Sequence, residues 1–243
     1  MTKGIAEKLQ ILSLVVYVGR VKENREVRGD SKTNGAGTAA PLIPPKPTLK
    51  KLREAARGCR ACPLWKSGTQ TVFGEGRPGA TIVFVGEQPG NDEDLAGKPF
   101  VGPAGKLLDR ALVEAGIDRG EAYVTNAVKH FKWEPKGKRR LHKKPNGREI
   151  AACRPWLEAE LGVLKPKVLV ALGATAAQSL LGKDFRVSKQ RGKVVESNLA
   201  PSVIATVHPS SILRAADDET RRSEMALFIK DLKVVARLLK DGR

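Results

Sequence analysis

Histidine and cysteine are scarce in this chain, with three of each among 243 residues. Three cysteines cannot build a full disulfide framework, and Cys59-x-x-Cys62 reads instead as an intracellular metal or redox pair. Acids are also short, 26 Asp and Glu against 44 Lys and Arg, which leaves a formal charge of +18 and a pI near 10.1. That balance says little about fold but favours a polyanionic partner, nucleic acid first. Long hydrophobic runs are missing. The apolar stretch at residues 11–18 is too short to span a bilayer, and no polybasic amphipathic helix offers itself to a membrane surface. Glu7 stands where a signal peptide would be basic, with no small-residue cleavage site close behind the run. The expectation is a cytoplasmic monomer without a membrane partner, held near the nucleoid by DNA binding.

The length suits one domain of ordinary size with a substantial core. Residues 1–47 differ in composition and read as an N-terminal extension. Within it, residues 19–47 form a flexible tether ending in the stiff segment Pro41-Leu-Ile-Pro-Pro-Lys-Pro47. Residues 48–243 form the globular part. There the runs at 81–86, 122–128, 168–173 and 202–207 predict strands, the first an uninterrupted apolar run as expected of a strand buried on both faces. Helical stretches at 48–57, 103–115, 147–164, 174–181 and 220–240 alternate with them, Pro103 and Gly116 marking the start and stop of the second. The pattern predicts an α/β, three-layer αβα fold around a central, mostly parallel, four-stranded sheet. Ligands bind such sheets beyond the carboxyl ends of the strands. Gly86-Glu-Gln-Pro-Gly90, Asn126 and His208-Pro-Ser210 all fall there.

Residues 136–148 read Lys-Gly-Lys-Arg-Arg-Leu-His-Lys-Lys-Pro-Asn-Gly-Arg, a loop without an acid and with His142 at its centre. One reading is a solvated loop that touches phosphate through Lys138, Arg139, Arg140, Lys143 and Lys144. The sharper reading docks phosphates on those cations while His142 acts on the sugar or base.

Taken in order, Gly86-Glu-Gln-Pro-Gly90 with Asp92-Glu-Asp94, Gly97-Lys-Pro-Phe-Val-Gly102, Tyr123-Val-Thr-Asn-Ala-Val128 and His208-Pro-Ser210 resemble the uracil-DNA glycosylase superfamily. The likeness covers roughly residues 50–240 and is greatest to the iron–sulfur family-four branch. Gln88, where that branch usually has Ala, and the Lys138-Arg-Arg-Leu-His142 loop resemble the UdgX type. The resemblance implies uracil excision followed by covalent attachment of His142 to the deoxyribose C1′. The alternative is a conventional turnover family-four enzyme of base excision repair, and a third reading is a non-catalytic module that only senses uracil. By resemblance Phe100 stacks on a flipped uracil, Asn126 pairs with its N3/O4 edge, and His208 donates to O2 as negative charge develops.

Breaking the uracil–sugar bond leaves C1′ electron-poor. Like charges around His142 disfavour its imidazolium, so a neutral ring would attack where an ordinary glycosylase delivers water. Glu87 would take the proton from the other ring nitrogen, and Gln88 would fix the water or the loop beside Glu87. Cys59, Cys62 and Cys153 match three of the family-four cluster cysteines, and His130 stands where the fourth would be. The resemblance implies a structural 4Fe-4S cluster on Cys59, Cys62, His130 and Cys153. The same four residues also suit a tetrahedral structural zinc.

Overall fold

Each of the four runs becomes a strand, and three more strands form among the described residues. In chain order they are β1 (Ile82–Gly86), β2 (Ala122–Asn126), β3 (Trp133–Lys136), β4 (Arg139–His142), β5 (Val168–Leu172), β6 (Val194–Val195) and β7 (Ser202–Thr206). The helices are α1 (Leu49–Ala56), α2 (Asn91–Ala96), α3 (Pro103–Ala115), α4 (Gly147–Leu164), α5 (Ala174–Leu181), α6 (Val187–Gln190), α7 (Pro209–Leu213) and α8 (Asp218–Asp241). This is a computed structural model, and it describes residues 37–241. The apolar run at residues 11–18 and the tether up to residue 36 lie outside the described residues.

The main sheet has the order β2-β1-β5-β7-β6. Its first four strands run parallel, and their registers pair Gly86 with Asn126 and Leu172 with Thr206, so the carboxyl ends are level. Side chains alternate between faces, as the strand period of two requires. Ile82, Phe84, Val124, Val170 and Ile204 pack with α3 and α8. Val83, Val85, Leu169, Ala171 and Val203 pack with α4 and α5. The three-layer αβα architecture follows, with helices covering both faces of a sheet whose strands are almost wholly apolar. No described helix is long and apolar enough to cross a membrane.

Among the strands, two features depart from the sequence reading. A fifth strand, β6, pairs antiparallel with β7 at the sheet edge. Its two valines are too few to show a period. The basic loop is not irregular either: β3 and β4 form an antiparallel hairpin pairing Trp133 with His142 and Lys136 with Arg139. Gly137, at φ +59°, opens its two-residue turn, a position at which a residue with a Cβ is strained.

Local signals position the helices. Asn146 caps α4, accepting from Glu149 N at 2.9 Å, while Glu149 Oε2 accepts from Asn146 N at 2.7 Å, a reciprocal cap. On α8, Phe228, Leu232, Val235 and Ala236 are buried at helical spacing, which lays one stripe of the helix on the sheet. The end of the expected tether is ordered: Ala39 is fully buried and its N–H donates to Ala152 O at 3.0 Å. A 3-10 turn follows at Ala40–Leu42.

Candidate active site

Level strand ends make a shelf, and the loops leaving it enclose a cleft of about 760 Å³, a volume typical of small-molecule sites. Glu87, Gln88, Phe100, Asn126, His142 and His208 all line it. The residues expected to bind the base and those expected to do chemistry are therefore brought together. Of the five expected DNA-binding cations, Lys144 lines the cleft.

Close packing sets the base-facing side. A Cβ on Gly86 would lie 2.3 Å from Asn126 Oδ1 and 2.8 Å from Phe100 Cζ, so only glycine lets both side chains reach the end of β1. Phe100 itself has a left-handed backbone, φ +57°, a conformation that costs energy in a residue with a Cβ and clusters at functional sites. A Cβ on Gly105 would overlap Phe100 O at 1.7 Å, so α3 needs a glycine under this bend. One carboxylate joins two of the sequence motifs: Glu93 accepts from Gly90 N at 3.0 Å and from Gly102 N at 2.8 Å. The loops flanking Phe100 are thereby held as one unit.

His208 stands at the start of α7. Its Nδ1 lies 3.2 Å from Ser210 N, which can only donate, and 2.8 Å from Ser210 Oγ. Nδ1 must then be an acceptor, and a neutral ring carries its proton on Nε2. Burial holds the imidazole down at about pKa 4, with Arg214 and His142 adding to the shift. His208 is therefore a neutral Nε2–H donor near pH 7. Its ring lies nearly parallel to Phe100, at 26° and 6.1 Å between centroids.

On the opposite wall, His142 Nε2 lies 3.6 Å from Glu87 Oε1, too far for a direct hydrogen bond. Of the two ring nitrogens, Nε2 is therefore the one that faces the Glu87 carboxylate. The expected depression of the His142 pKa is present with a different cause. Partial burial is the main one, Glu87 works against it, and Arg214, outside the hairpin, adds to it. Thr175 Oγ1 donates a hydrogen bond to Glu87 Oε2, which leaves Oε1 toward the cleft.

Gln88 fixes the hairpin. Its buried amide donates to Lys132 O at 3.1 Å and Lys143 O at 3.0 Å, and accepts from Lys132 N at 3.3 Å. Both ends of the segment carrying His142 are thus tied to the Gly86–Gly90 loop. Arg140 anchors the hairpin: it pairs with fully buried Asp94 at 2.7 Å, bonds Asn91 Oδ1 at 2.8 Å, and lies over Phe131 and Trp133. Lys143 pairs with Glu134 at 2.8 Å. Lys138 and Arg139, at the hairpin tip, are exposed.

A separate cluster holds the cysteines. Cys59, Cys62 and Cys153 are free, buried and grouped with Trp156, Phe73 and Leu52. Trp156 Nε1 donates to Cys59 Sγ at 3.3 Å and Lys129 N to Cys153 Sγ at 3.2 Å, contacts that suit metal-bound thiolates. His130 is buried, with Nε2 3.1 Å from Thr71 Oγ1, so Nδ1 is the nitrogen left for a metal. Among the described residues, no three His, Cys, Asp or Glu side chains already converge on a single-ion site.

Thr175 and Arg214 escaped sequence reasoning. Neither lies in a charge run or a periodic motif, and only folding brings them to the cleft. A family model described as the uracil DNA glycosylase superfamily matches residues 73–233. The type-4 uracil-DNA glycosylase of Thermotoga maritima is 40% identical over 193 residues, 79% of this chain and 95% of that one. That of Pyrobaculum aerophilum is 38% identical over 173 residues, 68% of this chain and 85% of that one. That of Saccharolobus solfataricus is 34% identical over 198 residues, 76% of this chain and 88% of that one. The family match takes in all four parallel strands and the cleft at their ends, and the chain belongs to the uracil-DNA glycosylase superfamily.

Proposed function

We propose that this protein cleaves the N-glycosidic bond of uracil in DNA. The observation that carries the reading is the convergence of Phe100, Asn126 and His208 with Glu87 on one cleft at the strand ends. A flipped uracil stacks on Phe100, and the Asn126 amide pairs with its N3/O4 edge. The N1–C1′ bond breaks with its electron pair passing to the base. His208 Nε2–H stabilises the negative charge on O2 without giving up its proton. Lys138, Arg139 and Lys144 hold the phosphates. The test is release of free uracil from a uracil-containing oligonucleotide, compared with Asn126→Ala. Wild-type protein that leaves the base in place would overturn the proposal.

Two nucleophiles can complete the reaction. Water deprotonated by Glu87 would add hydroxyl to C1′ and yield an abasic site with turnover. The type-4 names of the relatives favour this outcome. A specific observation favours the second, of UdgX type: His142 shares the cleft, turns Nε2 toward Glu87, and has its hairpin clamped by Gln88. The Nε2 lone pair would bond to C1′, Glu87 would stabilise the imidazolium, and the Nδ1 proton would pass to solvent. The product is a neutral alkylimidazole, a poor leaving group, so the adduct persists. Cys59, Cys62 and Cys153, with His130 through Nδ1, would hold a 4Fe-4S cluster or a zinc ion. Bound there, the metal would staple α1 and the Cys59–Cys62 turn to α4 and take no part in the reaction.

A further inference from the structure

Beyond Asn126 the chain turns inward to Lys129, whose side chain doubles back under the end of β2. Lys129 and its partner Glu160 are both 0% exposed. The ammonium donates to Glu160 Oε2 at 2.5 Å, Thr125 Oγ1 at 2.6 Å and Asn126 O at 2.8 Å, one acceptor for each of its N–H bonds. Glu160 Oε1 accepts in turn from Tyr123 Oη at 2.8 Å and Gly74 N at 3.1 Å. Stability alone is a weak reason to bury such a pair, since well-packed apolar residues often serve as well or better.

What the pair holds is more telling. Asn126 ends an edge strand, and its side-chain amide makes no hydrogen bond to any described residue. Its aim into the cleft is therefore set by its backbone. On one side, Ala127 N and Val128 N donate to Gly86 O and Glu87 O at 2.9 and 3.0 Å. On the other, the Lys129 ammonium holds the Asn126 carbonyl.

We propose that the Lys129–Glu160 pair positions the Asn126 amide and thereby sets the preference for uracil over cytosine. This rests on the assignment of Asn126 to the uracil edge. An amide tilted away loses its match to uracil N3–H and O4, and so loses what excludes the reversed donor–acceptor pattern of cytosine. Lys129 acts through Asn126 and is a positioning residue.

The test uses the full chain with its native metal. Lys129→Met combined with Glu160→Gln removes both charges together and keeps acceptors for Tyr123 and Gly74. The variant should melt cooperatively and keep wild-type metal content. Its kcat on a uracil oligonucleotide should fall about 10- to 100-fold, the scale of a displaced catalytic contact, with KM unchanged and a lower uracil-to-cytosine preference. Glu160→Gln alone leaves the ammonium on Asn126 O but without its counter-charge, so it should lower the melting temperature and reduce kcat less than the double variant does. A second pair, Lys129→Leu with Glu160→Met, serves if the first does not fold. Wild-type rate and preference in a folded double variant would overturn the proposal, as would loss of rate only together with loss of metal. Asn126→Ala separates the two claims. If it keeps the uracil preference, the assignment of Asn126 falls and this inference with it; if it loses the preference while the double variant does not, only this inference falls.

Discussion

Thr175 decides which oxygen of Glu87 reaches the cleft. Its hydroxyl donates to Oε2, leaving Oε1 on the side of His142. Thr175→Val removes that donor with little change of volume, and a lost hydrogen bond to a charged group is worth about 1.5–3 kcal/mol. Single-turnover uracil release should slow by at least about tenfold. A rate unchanged within twofold would mean that Glu87 is oriented by something else. His208 predicts a pH effect. Its pKa is ordinarily 6.5 and is held at about 4 in the fold. An unfolded chain therefore takes up a proton below 6.5 that the folded one refuses. The stabilisation is complete above pH 6.5 and is lost as pH falls toward 4. Thermal melts should show that slope, and His208→Asn should flatten it. His208 was legible because it begins a short motif after a buried strand. The proton position was not, because it depends on Ser210 N and on burial.

The hairpin divides its cations by direction rather than by sequence. Lys138 and Arg139 are exposed at the tip, while Arg140 points inward to Asp94. Arg139→Ala should lower the slope of log affinity against log salt by about one, the signature of one lost phosphate contact. Arg140→Ala should leave that slope intact and lower stability by about 2 kcal/mol or more, since Asp94 stays buried without its cation; salt titrations and thermal melts on the two variants check the pair. The four parallel strands could be read from sequence because each is a continuous apolar run between helical stretches. The hairpin could not. Its strands owe their pairing to the Gly137 turn and to the Gln88 clamp, a contact 44 residues away for Lys132 and 55 for Lys143. The sequence reading gives Gln88 the water or the loop beside Glu87 to fix; its hairpin partners emerge only from the fold.

At the scale of the molecule, a net charge of +18 favours a polyanionic partner, and under the proposed function the cleft acts on the DNA so held. The cysteine cluster was visible as a spacing, Cys59-x-x-Cys62, whereas the approach of Cys153 depends on α4 crossing beside α1. Protein purified without oxygen should contain iron and sulfide at about four each per chain if the metal is a cubane. A single zinc would contradict that assignment and leave the cleft chemistry untouched. Cys153→Ala should lower stability along with metal content. The proposed activity is excision in this cleft, with His142 beside the reacting carbon. A denaturing gel tests it most directly, using a uracil-containing oligonucleotide with wild-type protein and with His142→Ser. The uracil strand should become alkali-labile in the variant, with no shifted band. With wild-type protein it should either become alkali-labile, through water, or run as a protein–DNA adduct, through His142. A uracil strand that stays intact and unshifted with both proteins would contradict the account.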